Sequence, residues 1–148
     1  MRKRRMKAST QIIIGALTVI IAIYIAIGLF LNKAISPYNT TRAQAINIAK
    51  KETNLKTAQS FDIATTDITT YAIKGLDKNN KEIGVIIPQK SGKITVVDMD
   101  KGVAPTSLTS KNTSSVVLTL YKGKAAWEVN SSNNYKVYDF TTGKELIG

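Results

Sequence analysis

Gln11-Ile-Ile-Ile-Gly-Ala-Leu-Thr-Val-Ile-Ile-Ala-Ile-Tyr-Ile-Ala-Ile-Gly-Leu-Phe-Leu31 carries no charged side chain. A helix needs roughly 20 apolar residues to cross a bilayer's hydrocarbon core. In lipid every backbone N–H and C=O must be satisfied internally, so a helix forms even from β-branched isoleucines. Arg2, Lys3, Arg4, Arg5 and Lys7 stand just before the run with no acid among them. That asymmetry puts the basic end in the cytoplasm and everything after the run outside. A cleaved signal peptide would have a shorter apolar region and a small-x-small site just beyond it. Here the nearest Ala-x-Ala is Ala43-Gln44-Ala45, well past the run. The expectation is an uncleaved single-pass anchor in the cell membrane.

Working outward, the chain divides into a basic cytoplasmic segment (1–10), the anchor (11–31), a linker (32–40) marked by Pro37, a first folded unit (41–102) and a shorter second one (103–148). Of 148 residues, none is cysteine or histidine. Disulfides, Cys/His zinc sites, thiol nucleophiles and Ser-His-Asp triads are therefore excluded, and no metal or cofactor is expected. The formal net charge is +11. Five of the cations precede the anchor, leaving 16 basic against 10 acidic residues outside. An external basic domain attracts anionic wall polymers or lipid headgroups. Nucleic acid is not a partner for scattered cations outside the cell.

Thr41-Arg-Ala-Gln44 has the form of a capping box and opens an amphipathic helix that ends near Asn54, read as a left-handed C-cap. Period-two alternation then gives strands around Thr69–Ile73, Ile83–Ile87 and Ile94–Met99, with turns at Asp77–Lys81 and Lys90–Lys93. Helix followed by antiparallel strands is an α+β unit, with the helix covering one sheet face. Gly102–Ser115 is polar and reads as a connection, with a short helix near Pro105 to Lys111. Val116–Tyr121, Ala125–Val129 and Tyr135–Asp139 form a second meander, followed by a tail holding Leu146 and Ile147.

Acids are the remaining candidates for chemistry. Asp98 and Asp100 are two apart and would share a strand face as a carboxylate pair. A small wall-active enzyme would need them, or Asp62, Asp67 or Glu128, to converge in a cleft. Asp139 precedes Thr-Thr-Gly, where a carboxylate caps the turn by accepting backbone N–H groups. Trp127, the one tryptophan, is a core residue or an exposed partner anchor. Trp127, Tyr138 and Asp139 are the candidate partner-binding residues. No catalytic residue is assigned.

Ala49-Lys-Lys-Glu-Thr-Asn-Leu55, Tyr71-Ala-Ile-Lys-Gly-Leu-Asp-Lys78, Ala126-Trp-Glu-Val129 and Tyr138-Asp-Phe-Thr-Thr-Gly-Lys144 resemble segments of the YpmB/TseB-like family (DUF5590). The resemblance implies a Gram-positive, membrane-anchored protein with two cystatin-like units. It implies a regulator of peptidoglycan elongation that binds a penicillin-binding transpeptidase and is not an enzyme. It places the second unit's helix between Gly102 and Val116, where this chain is short and rich in Ser and Thr. A cystatin- or PepSY-like inhibitor or sensor of an extracytoplasmic protease shares the same expected fold.

Overall fold

A computed structural model describes residues 8–90 and 92–148. The basic run Arg2–Lys7 and Ser91 in the expected Lys90–Lys93 turn lie outside the described residues. The first helix, α1 (Ala8–Glu52), contains the whole apolar run. The chain divides into two compact units, residues 1–41 and 42–148.

In the first unit the apolar side chains from Ile12 to Leu31 are exposed, as a lipid-facing helix requires. The Thr18 hydroxyl folds back onto the Ile14 carbonyl at 2.8 Å, so this polar group in the apolar run is satisfied within the helix. The expected extended linker is not there: residues 32–40 are helical and Pro37 sits inside α1. Proline removes a single N–H and crowds one turn, a local cost of about 3 kcal/mol that long helix on both sides can absorb. The Thr40 hydroxyl donates to the Ser36 carbonyl at 2.9 Å within this turn. Thr41 therefore stands mid-helix, and its capping box caps nothing.

The second unit begins with the last turns of α1. Asn54 is not the left-handed residue expected, since positive φ among non-glycines occurs at Asn80 and Lys122. Thr53 closes the helix instead. Its N–H and its hydroxyl both donate to the Ala49 carbonyl, at 3.0 and 2.6 Å. The same hydroxyl accepts from Leu55 N–H at 3.2 Å and starts the first strand.

Among the described residues eight strands follow: β1 (Leu55–Thr65), β2 (Thr69–Asp77), β3 (Glu82–Pro88), β4 (Thr95–Asp98), β5 (Thr113–Tyr121), β6 (Lys124–Ser131), β7 (Tyr135–Asp139) and β8 (Glu145–Ile147). They make two antiparallel four-stranded meanders, β1-β2-β3-β4 and β5-β6-β7-β8, sheets A and B. β1 escaped the sequence pattern for a physical reason. Its register on β2 shifts between Leu55 and Thr57 and again between Ala58 and Ser60, which breaks the alternation. The carbonyl of Thr57 bulges into the space a Cβ at Gly75 would need. The helix expected between Gly102 and Val116 reduces to a 3₁₀ turn, Pro105–Leu108. Ser107 and Thr109 spend their hydroxyls on the carbonyls of Ala104 and Thr106, bonds that compete with helix propagation.

Sheet A is buried on both faces, which the amphipathic reading did not anticipate. Ala45 and Ala49 of α1 pack with Phe61, Ile73, Val85 and Ile87 on one face. Ala72 and Ile86 on the other face pack with Leu118, Leu120, Trp127 and Phe140 of sheet B. Strand β3 consequently shows five consecutive buried residues, Ile83–Ile87. Sheet B meets sheet A through its edge strand. Leu118 lies against Gly84 of β3, while the Thr119 hydroxyl lies 3.3 Å from that of Thr70 on β2. Consecutive residues of a strand point to opposite faces, so β5 stands edge-on across sheet A.

An ideal Cβ at Gly84 would sit 2.5 Å from Leu118 Cδ2 and 3.0 Å from Val97 Cγ2. Gly84→Val should therefore destabilise the domain by about 1–3 kcal/mol through overpacking. Combined with Leu118→Ala, the loss measured by denaturant unfolding should be smaller than the sum of the two single losses.

Candidate functional site

Of the residues that sequence reading singled out, Trp127 and Tyr138 pack at the junction between the sheets. Trp127 on β6 is fully buried. Its indole Nε1–H donates to the Val103 carbonyl at 3.1 Å, and its ring lies 5.8 Å from that of Phe140 at a 34° tilt. Val103 N–H in turn donates to the Phe140 carbonyl at 2.8 Å. Both backbone groups of Val103 are thus held by sheet B, and the Phe140 ring fills the place a Cβ at Gly102 would occupy. The Gly102–Val103 segment of the connection from β4 to β5 is clamped by one indole and one phenyl ring. As a partner contact Trp127 is unavailable, because no part of it reaches the surface. Tyr138 pairs with Trp127 across the β6–β7 ladder and is half-buried against the same core.

Asp139 caps its turn. Oδ1 accepts from the N–H of Thr142 at 2.7 Å, the N–H of Thr141 at 3.0 Å and the Thr142 hydroxyl at 2.9 Å. These bonds, the Thr142 N–H foremost, hold its carboxyl below the usual carboxylate range, with help from the field of Lys124. Gly143, at φ +69°, completes the turn.

Asp98 and Asp100 do not form a carboxylate pair. β4 ends at Asp98, whose Oδ1 accepts from Asp100 N–H at 3.1 Å and caps the 3₁₀ turn Met99–Lys101. Asp67 accepts from Lys122 N–H at 2.9 Å. Among the described residues no three acids cluster as a metal site would require.

Sequence reasoning missed a polar chain that crosses between the sheets. The Thr66 hydroxyl, in the β1–β2 turn, donates to Glu128 Oε2 at 2.6 Å. Its one hydrogen being used, it accepts from Thr119, 3.1 Å away, and Thr119 accepts from Thr70 at 3.3 Å. Asn130 Nδ2 donates to Glu128 Oε1 at 2.9 Å. Thr70 and Thr119 are fully buried and Glu128 is 8% exposed. The available signal was a glutamate between Trp127 and Val129 in a strand of small and apolar residues. Its partner lies 62 positions away, so no local pattern could name it.

Residues 44–88 match the family model described as the cell wall elongation regulator TseB-like domain. That stretch is similar to a TseB-like domain. A similar solved structure is the YpmB protein from Bacillus subtilis, at 26% identity and a TM-score of 0.60, covering 70% of this chain and 92% of that one. Among curated proteins, none matches. The family match spans the last turns of α1 through β3 and stops before β4 and sheet B. The segments 126–129 and 138–144, which carry the resemblance near the C-terminus, are used inside this fold. Trp127 and Phe140 clamp the connection, Glu128 ties the sheets, and Asp139 caps a turn.

Trp127→Ala should cost about 3–5 kcal/mol by denaturant unfolding, as for other large core truncations. Thr66→Val, which leaves Glu128 Oε2 without its donor, should cost about 1–3 kcal/mol. Asp139 supplies stability above its ordinary value of 3.8, and that contribution disappears as pH falls through its lowered native value. Asp139→Ala should therefore lower the melting temperature at pH 7, by an amount that shrinks as pH falls below 3.8.

Proposed function

We propose that this is a non-enzymatic, single-pass membrane protein that regulates peptidoglycan elongation by binding a penicillin-binding transpeptidase outside the cell. The observation that carries the reading is the TseB-like domain at residues 44–88, whose family is described as a regulator. The helix-on-sheet packing of α1 against sheet A is the arrangement a cystatin-like unit would have. The uncharged run Gln11–Leu31 within α1 fits a membrane anchor, and the basic residues before it argue for a cytoplasmic N-terminus. Asp67, Asp98, Glu128 and Asp139 are engaged by backbone N–H groups and by the inter-sheet chain, which favours contact over catalysis. The surplus of lysine supports a secondary attraction to anionic wall polymer.

The reading has two tests. Protease added to wall-stripped intact cells should remove the folded unit and leave the anchor; protection of that unit would reverse the topology. Asp98→Asn with Asp100→Asn should leave the effect on wall growth intact, whereas releasing the domain from its anchor should weaken it. A purified protein that cleaves peptidoglycan, and loses that activity through one acid-to-amide change, would overturn the reading.

A further inference from the structure

The apolar side of α1 does not stop where the uncharged run stops. With 3.6 residues per turn, Ile20, Tyr24, Ile27, Leu31, Ile35 and Tyr38 stay within about 40° of one line along the helix. Ile35 and Tyr38, both past the run, are 52% and 46% exposed. Lys33, Ser36 and Thr40 fall on the opposite side and are exposed as well. Lys33 is the one charged residue between Lys7 and Arg42. The segment 32–41 is therefore amphipathic, with an apolar side that prolongs the side chains exposed along the run.

Length decides where that side ends. Ile13 lies on the same line, and from Ile13 to Tyr38 the apolar side is about 38 Å long at 1.5 Å per residue. A hydrocarbon core is about 30 Å thick, with roughly 5–8 Å of headgroup layer on each side. The apolar side thus exceeds the core by about the depth of one headgroup layer. A helix with such an excess tilts, and interfacial tyrosine and lysine set the direction. Upright, Tyr38 would stand about 10 Å beyond Leu31, in water. Leaning toward its apolar side, the helix brings Ile35 and Tyr38 back to the boundary of the acyl chains.

Lipid fits this side better than a second copy of the chain. Past Leu31 a second copy would meet two large apolar side chains, far less than the roughly 1,200 Å² that a stable protein interface buries. Lipid needs no such area, because the line through Ile35 and Tyr38 is continuous with side chains that the run already exposes. Tyrosine joins an apolar ring to a polar tip, which suits the boundary between acyl chains and headgroups. Lys33, on the other side, can lay its methylene stem along the apolar run and extend its ammonium to a lipid phosphate. The Thr40 hydroxyl donates to the Ser36 carbonyl, so it enters a headgroup layer with its hydrogen already bonded.

We propose that residues 32–41 are a lipid-binding segment in the headgroup layer on the C-terminal side of the anchor. Ile35 and Tyr38 seat at the acyl boundary, Lys33 binds lipid phosphate, and together they set the tilt and axial rotation of α1 in the bilayer. This rests on the reading of Gln11–Leu31 as a membrane anchor. The experiment probes the anchor and the segment at separate positions, so failure of one is distinguished from failure of the other.

The chain has no cysteine, so Ile21→Cys, Ile35→Cys, Ser36→Cys, Tyr38→Cys and Thr40→Cys each accept one nitrobenzoxadiazole label. The full chain is reconstituted in phosphatidylcholine–phosphatidylglycerol vesicles that carry a nitroxide on the headgroup or deep on the acyl chain, and iodide probes from the water. The headgroup nitroxide should quench the Ile35 and Tyr38 positions at least about twofold more than the Ser36 and Thr40 positions, with the reverse order for iodide. The deep nitroxide should quench the Ile21 position. Adding Ile35→Glu to the Tyr38-labelled chain should open that label to iodide. Equal iodide access at all four segment positions, with Ile21 still deep, would overturn the proposal and leave the anchor standing. Blue-shifted emission at Ile35 and Tyr38 that no lipid nitroxide quenches, and that is lost on dilution into more lipid, would overturn it in favour of a second copy. An Ile21 position beyond the deep nitroxide's reach would overturn the anchor itself, and this proposal with it.

Discussion

The contact of Leu118 with Gly84 is the constraint on which the second unit's architecture depends. A β-sheet of four strands with one face covered by the last turns of a helix leaves its other face to be buried by something else. Here the cover is a strand standing edge-on, and only a residue without a side chain lets it come close enough. Once β5 is seated, its two faces reach different parts of sheet A: Leu118 and Leu120 enter the apolar cluster, and Thr119 enters the polar chain. β6 to β8 then follow as a meander from that seat. The connection between the sheets cannot wander, because Trp127 and Phe140 hold both backbone groups of Val103.

The polar chain complements that packing in kind. Apolar contacts are non-directional, and a strand lying edge-on could slide along a groove of alanine, glycine and isoleucine. Hydrogen bonds from Thr70 through Thr119 and Thr66 to Glu128 fix a position along it. In a buried setting an unmade bond of this sort costs more than a made one contributes, so slippage is resisted. Glu128 is a carboxylate, yet its environment makes it a structural acceptor with both oxygens occupied.

Legibility in the sequence followed the range of the interaction. The apolar helix, the strands β2 and β3, and the Asp139 turn were readable because each is decided by neighbours within a few residues. The edge strand β1 was not, since its bulges cancel the period-two signal that Leu55 and Phe61 begin. Pro37 misled because a proline usually ends a helix, whereas here the helix resumes at once. For Trp127 the sequence left core residue and partner anchor both open, and its bond to Val103, 24 residues upstream, was not readable. The double-sided burial of sheet A showed only weakly, as the unbroken apolar run Ile83-Gly-Val-Ile-Ile87. The pairing of Thr66 with Glu128 exists only in three dimensions.

How the C-terminal segments are used bears on function. Trp127 is buried in the clamp and Glu128 in the tie between the sheets, so recognition of a partner would fall to surface that these two do not reach. Such surface is made of side chains that form no cap, clamp or tie, so changing them would leave the packing of the two sheets as it is.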